Sequence, residues 1–143
     1  MSNLRRALLV AAVLVAAFVT YDVLVVTDEE RIEAFVETIT GTVDEDHIAA
    51  ALAYFDPARV TIDVEVLGRG RVYSDAAQFR SDMRRAVSIL QGDHLRALGE
   101  HIEVTGDTAT VTMRLVTQRG IRDTEFRLVK RGEDWLVSRV RVM

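Results

Sequence analysis

The three histidines are the residues best suited to metal or acid–base chemistry, and their spacing predicts no shared site. His47, His94 and His101 lack the H-x-x-x-H spacing that places two ligands on one helix face. His47 lies at an acidic helix start and His94 in a turn, so solvated side chains are predicted for both. His101 is predicted to lie on the surface of a strand.

Nucleophilic and phosphate-binding sites also lack their usual patterns. Neither Ser74 nor Ser88 has a nearby histidine and carboxylate, and no G-x-S-x-G elbow occurs. The 143 residues include no cysteine, which excludes thiolate metal sites and a cysteine nucleophile. The segment Gly68-Arg69-Gly70 is too short to cradle a phosphate. The sequence therefore predicts no catalytic residue, no metal and no cofactor.

The N-terminal segment predicts where the protein is located and not which reaction it catalyses. Residues 7–26 are apolar except for Thr20 and Asp22, and twenty helical residues span about 30 Å, the thickness of bilayer hydrocarbon. Arginines precede the run and acids follow it, which places the N-terminus inside and the rest outside. We interpret residues 1–27 as an uncleaved signal anchor in the cytoplasmic (inner) membrane, single-pass, with a periplasmic or otherwise extracytoplasmic domain. A signal peptide cleaved near Val15-Ala16-Ala17 and a buried core helix are the alternatives.

The remaining residues, 28–143, predict one α+β domain. A capping box at Thr27 to Glu30 precedes apolar residues at helical spacing up to Ile39, and a similar signature at Thr42 to Glu45 precedes a second helix. A strand over 60–66, a short strand at 72–73 and a third helix from Ser74 to Leu90 follow. Four antiparallel strands are then predicted over 95–105, 108–118, 121–130 and 135–142.

Several phrases, in this order, resemble the nuclear transport factor 2-like superfamily, which includes ketosteroid isomerases and SnoaL-like cyclases. They are Phe55-Asp56-Pro57-Ala58-Arg59-Val60, Ser74-Asp75-Ala76-Ala77-Gln78-Phe79, Gly106-Asp107-Thr108-Ala109-Thr110-Val111 and Gly132-Glu133-Asp134-Trp135-Leu136-Val137. The resemblance covers residues 28–143. It implies a cystatin-like cone, in which a curved antiparallel sheet wraps around about three helices, with a pocket between them and a dimer contact on the outer sheet face.

The resemblance does not carry the isomerase chemistry over to this chain. The general-base aspartate of the isomerases corresponds to Ile62, while Asp63 alternates onto the solvent face, where no apolar surroundings can tune a carboxylate. Tyr54 or Tyr73 could supply a hydroxyl, but no acid partner falls on an inward strand position. Because fold alone does not imply function, catalysis is not predicted.

Charge is distributed unevenly along the domain. Residues 28–56 hold nine acids and one base, whereas residues 57–143 hold fifteen bases and twelve acids. Six arginines lie on the predicted strand meander, and we predict that they form cross-strand ion pairs. A protein-contact face is the alternative prediction for them. They are Arg114, Arg119, Arg122, Arg127, Arg139 and Arg141. Aromatic content of 6% and net charge of -4 argue against nucleic acid as a partner.

Two functions from different classes follow. The first is a membrane-tethered, non-catalytic interaction module that self-associates as a homodimer or docks a protein partner through the outer sheet face. The second is a pocket protein for a small apolar ligand, which a SnoaL-like isomerase or cyclase would convert. Six residues are the candidate lining of that pocket: Tyr54, Phe55, Tyr73, Met83, Met113 and Trp135.

Overall fold

The N-terminal segment forms a helix with exposed apolar side chains. The structure, a computed structural model, describes residues 2–24 and 26–143, without the side chains of residues 2–4 and 19–24. Helix α1 spans Ser2–Leu24, and its large apolar side chains between Leu8 and Phe18 are 58–72% exposed. Within this described part, no helix is long and apolar enough to cross a membrane. The anchor predicted over 7–26 includes positions outside the described residues, and it stays a prediction.

Three further helices lie in the domain, where the sequence predicts them. Helices α2 (Asp28–Ile39), α3 (Glu45–Leu52) and α4 (Ala76–Val87) are separate, and a 3-10 turn (Ser88–Leu90) follows α4. The predicted capping box at Thr27 is confirmed, with the Glu30 N–H donating to the threonine hydroxyl at 3.2 Å. The second predicted capping box is wrong: Asp44 caps α3, because Thr42 belongs to a short strand.

Within residues 2–24 and 26–143, seven strands form one sheet. They are β1 (Gly41–Thr42), β2 (Ile62–Val66), β3 (Arg69–Tyr73), β4 (His94–Thr105), β5 (Thr108–Thr117), β6 (Gly120–Arg131) and β7 (Asp134–Val142). Their order is β1-β4-β5-β6-β7-β2-β3. The predicted meander from β4 to β7 is confirmed. Two features were not predicted: the two-residue strand β1 on β4, and the parallel pairing of β2 with β7.

Bulges curve the sheet around the helices. The register of β4 against β5 shifts between Leu98 and His101, and Gly99 there has a φ of +61°, a conformation that glycine adopts without a Cβ penalty. A second shift, between Arg127 and Leu128, bends β6 against β7. An extra residue in one strand bends it and increases its twist. The inner sheet face thereby becomes a concave wall.

The core fills the space between this wall and the helices. Phe35 on α2 is fully buried, and its ring contacts those of Tyr54 and Phe126 edge to face at 5.0 and 5.2 Å between centroids. A second cluster places Ile62 and Tyr73 against Phe79 of α4. The alternation predicted for β2 holds at its start, where Ile62 is buried and Asp63 lies beside Arg139 on the outer face. It is lost at the end of the strand, where Val66 is exposed.

A carboxylate ties the start of α2 to the sheet. Asp28 accepts hydrogen bonds from Lys130 Nζ at 3.2 Å and from Trp135 Nε1 at 3.1 Å. These bonds, first that of Lys130 and then that of Trp135, hold the pKa of Asp28 below its usual value. The tie therefore anchors the first residue of α2 to strands β6 and β7.

Asp28→Asn should therefore weaken the domain in a pH-dependent way. Since the folded pKa is depressed, the contribution is fully present above the unfolded value of 3.8 and is lost as the pH falls below it. We expect the variant to lose about 1 kcal/mol of unfolding free energy at neutral pH, a value that allows for solvent screening. Its stability should also fall less steeply than the parent's on acidification. Urea unfolding as a function of pH measures both, and the exposed Glu29→Gln is the matched control. Equal acid sensitivity of parent and Asp28→Asn would contradict the assignment.

Candidate functional site

The cone encloses a small apolar cavity between helices α3 and α4 and the inner sheet face. Its volume is about 180 Å³, below the roughly 300–1,000 Å³ of typical ligand pockets. We call it the cone cavity. It is lined by Ile39, Val43, His47, Ile48, Ala51, Leu52, Phe55, Phe79, Met83, Val87, Leu90, Leu95, Leu115 and Phe126.

His47 is the single polar side chain among the described lining residues of the cone cavity. Both ring nitrogens are buried, and neither has a hydrogen-bond partner within the described part of the chain. The side chain of Asp44 accepts the His47 backbone N–H at 2.7 Å, which fixes this residue in the first turn of α3. Buried polar groups normally have partners, so this imidazole is an exception that a function can explain.

The sequence prediction of a solvated His47 is wrong. The acids Glu45 and Asp46 in the first turn of α3 favour a solvated neighbour, whereas the face of the helix on which His47 lies decides where its ring is placed. His47 stands one position before Ile48 and one helical turn before Ala51, and both of these line the cavity. That spacing was the available signal. His101, in contrast, is exposed on β4 as predicted.

Replacing His47 with leucine tests whether its nitrogens are unpaired in solution. The substitution removes two buried polar atoms and keeps an apolar body in the wall, so we expect a gain of about 1 kcal/mol in unfolding free energy. Thermal and urea unfolding measure it, with the exposed His101→Leu as control. A loss of stability in His47→Leu would show that a water or a ligand satisfies the ring in solution.

The six predicted lining residues separate into different places. Phe55 and Met83 line the cone cavity. Met113 is packed in the core between α2 and the sheet. Tyr73 packs against the ring of Phe79 at 5.2 Å and lies outside the cavity lining.

The hydroxyl of Tyr73 is committed to a polar contact at the edge of the sheet. It donates to Asp82 Oδ2 at 2.9 Å, and Arg71 donates to the same oxygen at 3.0 Å. Burial, followed by the hydrogen bond to Asp82, raises the pKa of Tyr73. The phenol therefore stays protonated at neutral pH and supplies no base to the cavity.

Tyr54 and Trp135 line a separate open cleft of about 630 Å³ between α2, the end of α3 and the start of β7. Two ion pairs lie at this cleft: Arg31 Nη2 to Glu133 Oε2 at 3.7 Å, and Arg59 Nη1 to Asp134 Oδ2 at 2.9 Å. The Trp135 indole N–H is bound to Asp28, so it is not available to a ligand. The cleft and the cone cavity share none of their described lining residues.

The outer face of the sheet carries the charged side chains. Arg114 pairs with Asp123 at 3.2 Å across β5 and β6. From β7, Arg139 lies 3.9 Å from Asp63 and 3.7 Å from Glu65, and Arg141 lies 3.5 Å from Glu65. The predicted cross-strand ion pairs are confirmed for these three arginines. They are not formed by Arg119, Arg122 or Arg127 within the described part of the chain.

One end of the outer face is apolar. Leu98, Ile121 and Met143 are 47–56% exposed and surround a depression of about 530 Å³, which Arg114 and Asp123 border. We call this surface the apolar end. Exposed apolar side chains that are grouped and rimmed by polar residues are typical of interaction sites.

Comparisons with known proteins show what the chain resembles. No family model matches it, and no curated protein matches its sequence. Three of the similar solved structures are of unknown function. A nuclear transport factor 2-like protein from Pseudomonas putida is 10% identical with a TM-score of 0.64, and 80% of this chain and 84% of that chain are covered.

The other two structures agree with the first. A cystatin-like protein from Nostoc punctiforme is 12% identical with a TM-score of 0.60, covering 82% of this chain and 92% of that chain. A protein from Mycobacterium tuberculosis is 19% identical with a TM-score of 0.55, covering 79% and 73%. At these identities the likeness concerns the fold. The chain has the nuclear transport factor 2-like, cystatin-like cone fold that its sequence resembles.

Proposed function

We propose that this chain is a membrane-tethered, extracytoplasmic, non-catalytic interaction module that binds a protein through the outer face of its sheet. The observation that carries the proposal is the apolar end, where Leu98, Ile121 and Met143 are exposed beside charged rims. An apolar centre with a polar rim is the usual anatomy of a protein–protein contact.

The cone cavity supports a non-catalytic reading. General acid–base catalysis needs a titratable group within hydrogen-bond reach of the reacting atom. Among the described lining residues the cavity offers no carboxylate and no phenol, and its one imidazole has buried nitrogens. Asp63, the nearest acid to the isomerase position, faces Arg139 on the other side of the sheet.

The N-terminal helix supports the tether. The apolar side chains of α1 are exposed over its described length, and exposed apolar surface of this kind needs a lipid or protein covering. Arg5 and Arg6 precede the apolar run, and Asp28, Glu29 and Glu30 follow it. The positive-inside rule then favours an extracytoplasmic domain. A reporter enzyme that works only outside the cytoplasm, fused after Met143, should be active; an inactive fusion that is expressed would contradict this topology.

The interaction is tested by native mass spectrometry of the full chain extracted in detergent. We expect a bound protein, and we expect Ile121→Glu to remove it because a buried charge at the apolar end would be desolvated without a partner. Val72→Glu is the matched control, since Val72 is an exposed apolar residue on the distant edge strand β3. A chain that carries no protein, or equal loss in both variants, would contradict the proposal.

A small apolar ligand in the cone cavity is the second candidate function, and His47 is the observation that favours it. Its unpartnered ring nitrogens would gain a hydrogen bond from a ligand group after a change of side-chain rotamer. The same native spectra would show a small mass bound to the parent and absent from Ala51→Trp, which fills the cavity. A small mass retained by that variant would exclude the cone cavity as its site.

A further inference from the structure

Two arginines face each other at the centre of the outer sheet face. Arg127 of β6 is directly opposite Arg139 of β7 in the strand register. Like charges directly opposite on adjacent strands destabilise a sheet. At other cross-strand positions of this face, residues of opposite charge are paired: Arg114 is opposite Asp123, and Arg141 is opposite Glu125. We call Arg127 and Arg139 the outer arginine pair.

Arg139 has two acids beside it, whereas the ion pairs of this face leave Arg127 without an acid partner. Within the described part of the chain, the Arg127 guanidinium has no hydrogen bond and no ion pair, and the residue is exposed. Arg139 Nε lies 3.9 Å from Asp63 and its Nη2 lies 3.7 Å from Glu65, and both distances are longer than hydrogen bonds. Because Nε is buried, the Nη groups of Arg139 are the donors that a ligand can reach. Guanidinium groups with free donors bind carboxylates well because two parallel N–H bonds match the two oxygens.

The surroundings of the pair limit what can bind. Thr110 of β5 lies opposite Arg127 on the other side and adds a hydroxyl, and Glu103 follows on β4. Asp63 flanks Arg139, and Glu125 stands two residues from Arg127 on the same face. Acids on both sides favour a ligand that brings its negative charge to the middle of the face, and they disfavour a negative surface spread over all of it.

A second copy of this chain with its two-fold axis along β6 would place Arg127 against Arg127 of the other copy. Like charges that face each other across a contact oppose that arrangement, whereas a segment that brings carboxylates is attracted to the pair.

We propose that the outer arginine pair binds an acidic segment of a partner protein, with a carboxylate of that segment held between Arg127 and Arg139. The inference rests on the proposed function and gives the partner its chemistry. The apolar end supplies the buried part of the contact, and the outer arginine pair supplies its charge selectivity.

A labelled short peptide of alternating glutamate and serine is the probe, and its lysine–serine counterpart is the reference. Fluorescence anisotropy with the full chain in detergent should show tighter binding of the acidic peptide. Arg127→Gln should weaken it about fivefold, the effect of one exposed charge contact. Arg85→Gln removes the same charge from an exposed arginine of α4, the helix on the inner side of the sheet, and should change it by less than about twofold. The charge reversal Arg127→Glu should reverse the preference toward the lysine peptide.

Different outcomes separate this inference from the proposed function. Equal binding of the two peptides, or equal weakening by Arg85→Gln and Arg127→Gln, overturns the acidic-segment proposal. If Ile121→Glu still loses a bound protein, the proposed interaction module is supported although the acidic-segment proposal fails. Circular dichroism of each variant checks that the chain keeps its secondary structure, which the exposure of Arg127 leads us to expect.

Discussion

Replacing Phe35 with alanine is expected to lower the free energy of unfolding by about 3–5 kcal/mol, the largest loss from any single substitution considered. Phe35 is 0% exposed and stands in the middle of α2. Its ring meets Tyr54 near the end of α3 and Phe126 on β6, so one side chain joins two helical segments to the sheet. Alanine would lose the buried area and both edge-to-face contacts, and it would leave a cavity.

A loss of this size is a large share of the stability of an ordinary domain, about 5–15 kcal/mol. Urea unfolding of the full chain in detergent, followed by the fluorescence of Trp135, measures it. The exposed Val72→Ala is the control and should change stability by less than about 0.5 kcal/mol. If Phe35→Ala cost less than 1 kcal/mol, the packing of α2 on the sheet would be looser than the buried ring indicates.

The spacing of apolar residues predicts the helices and strands of this fold well, because the side of an element that is buried determines that spacing. Ile32, Phe35, Val36 and Ile39 recur at helical spacing and are the buried residues of α2. Alternation likewise predicts that Ile62 points inward and Asp63 outward. These patterns are local, since each follows from which side of one element meets the core.

Pairings between distant strands are not predictable in the same way. The parallel contact of β2 with β7 joins Asp63 to Arg139, far apart in the chain, and no local pattern encodes which edges meet. The two-residue strand β1 is too short to show a period. Gly99 marks a bulge only once the register of β4 on β5 is known.

The candidate site was likewise predicted only in part. Phe55 and Met83 were predicted as pocket residues, and they line the cone cavity, but Tyr54 and Trp135 line another cleft. Aromatic and methionine residues in a sequence predict which side chains are buried, but they do not predict which cavity those side chains line. His47 was missed because a polar residue beside acids predicts solvent, whereas its position on α3 turns it toward the sheet.

Asp93→Ala is expected to cost about 2–3 kcal/mol and to loosen the rim of the cone cavity. This carboxylate is buried, with 6% exposure, and it accepts the backbone N–H of His94 at 2.8 Å and that of Gln118 at 3.1 Å. Its own carbonyl accepts the Val43 N–H at 2.8 Å, so the residue links β1, β4 and the β5–β6 turn. Alanine would leave two part-buried backbone N–H groups without their acceptors.

Asp93→Ala should also affect the cone cavity, because two neighbours of Asp93 line it. Val43 is hydrogen-bonded to the carbonyl of Asp93, and Leu95 is two residues away in the sequence. Asp93→Asn keeps one acceptor oxygen and should lose about half as much stability. The exposed Asp107→Ala, in the β4–β5 turn, is the control and should lose little. Faster amide exchange at Gln118 in Asp93→Ala, with no change at Val111 in the centre of β5, would show that the rim opens while the sheet stays paired. Uniform acceleration along β5 would show instead that Asp93 supports the whole sheet and not the cavity rim alone.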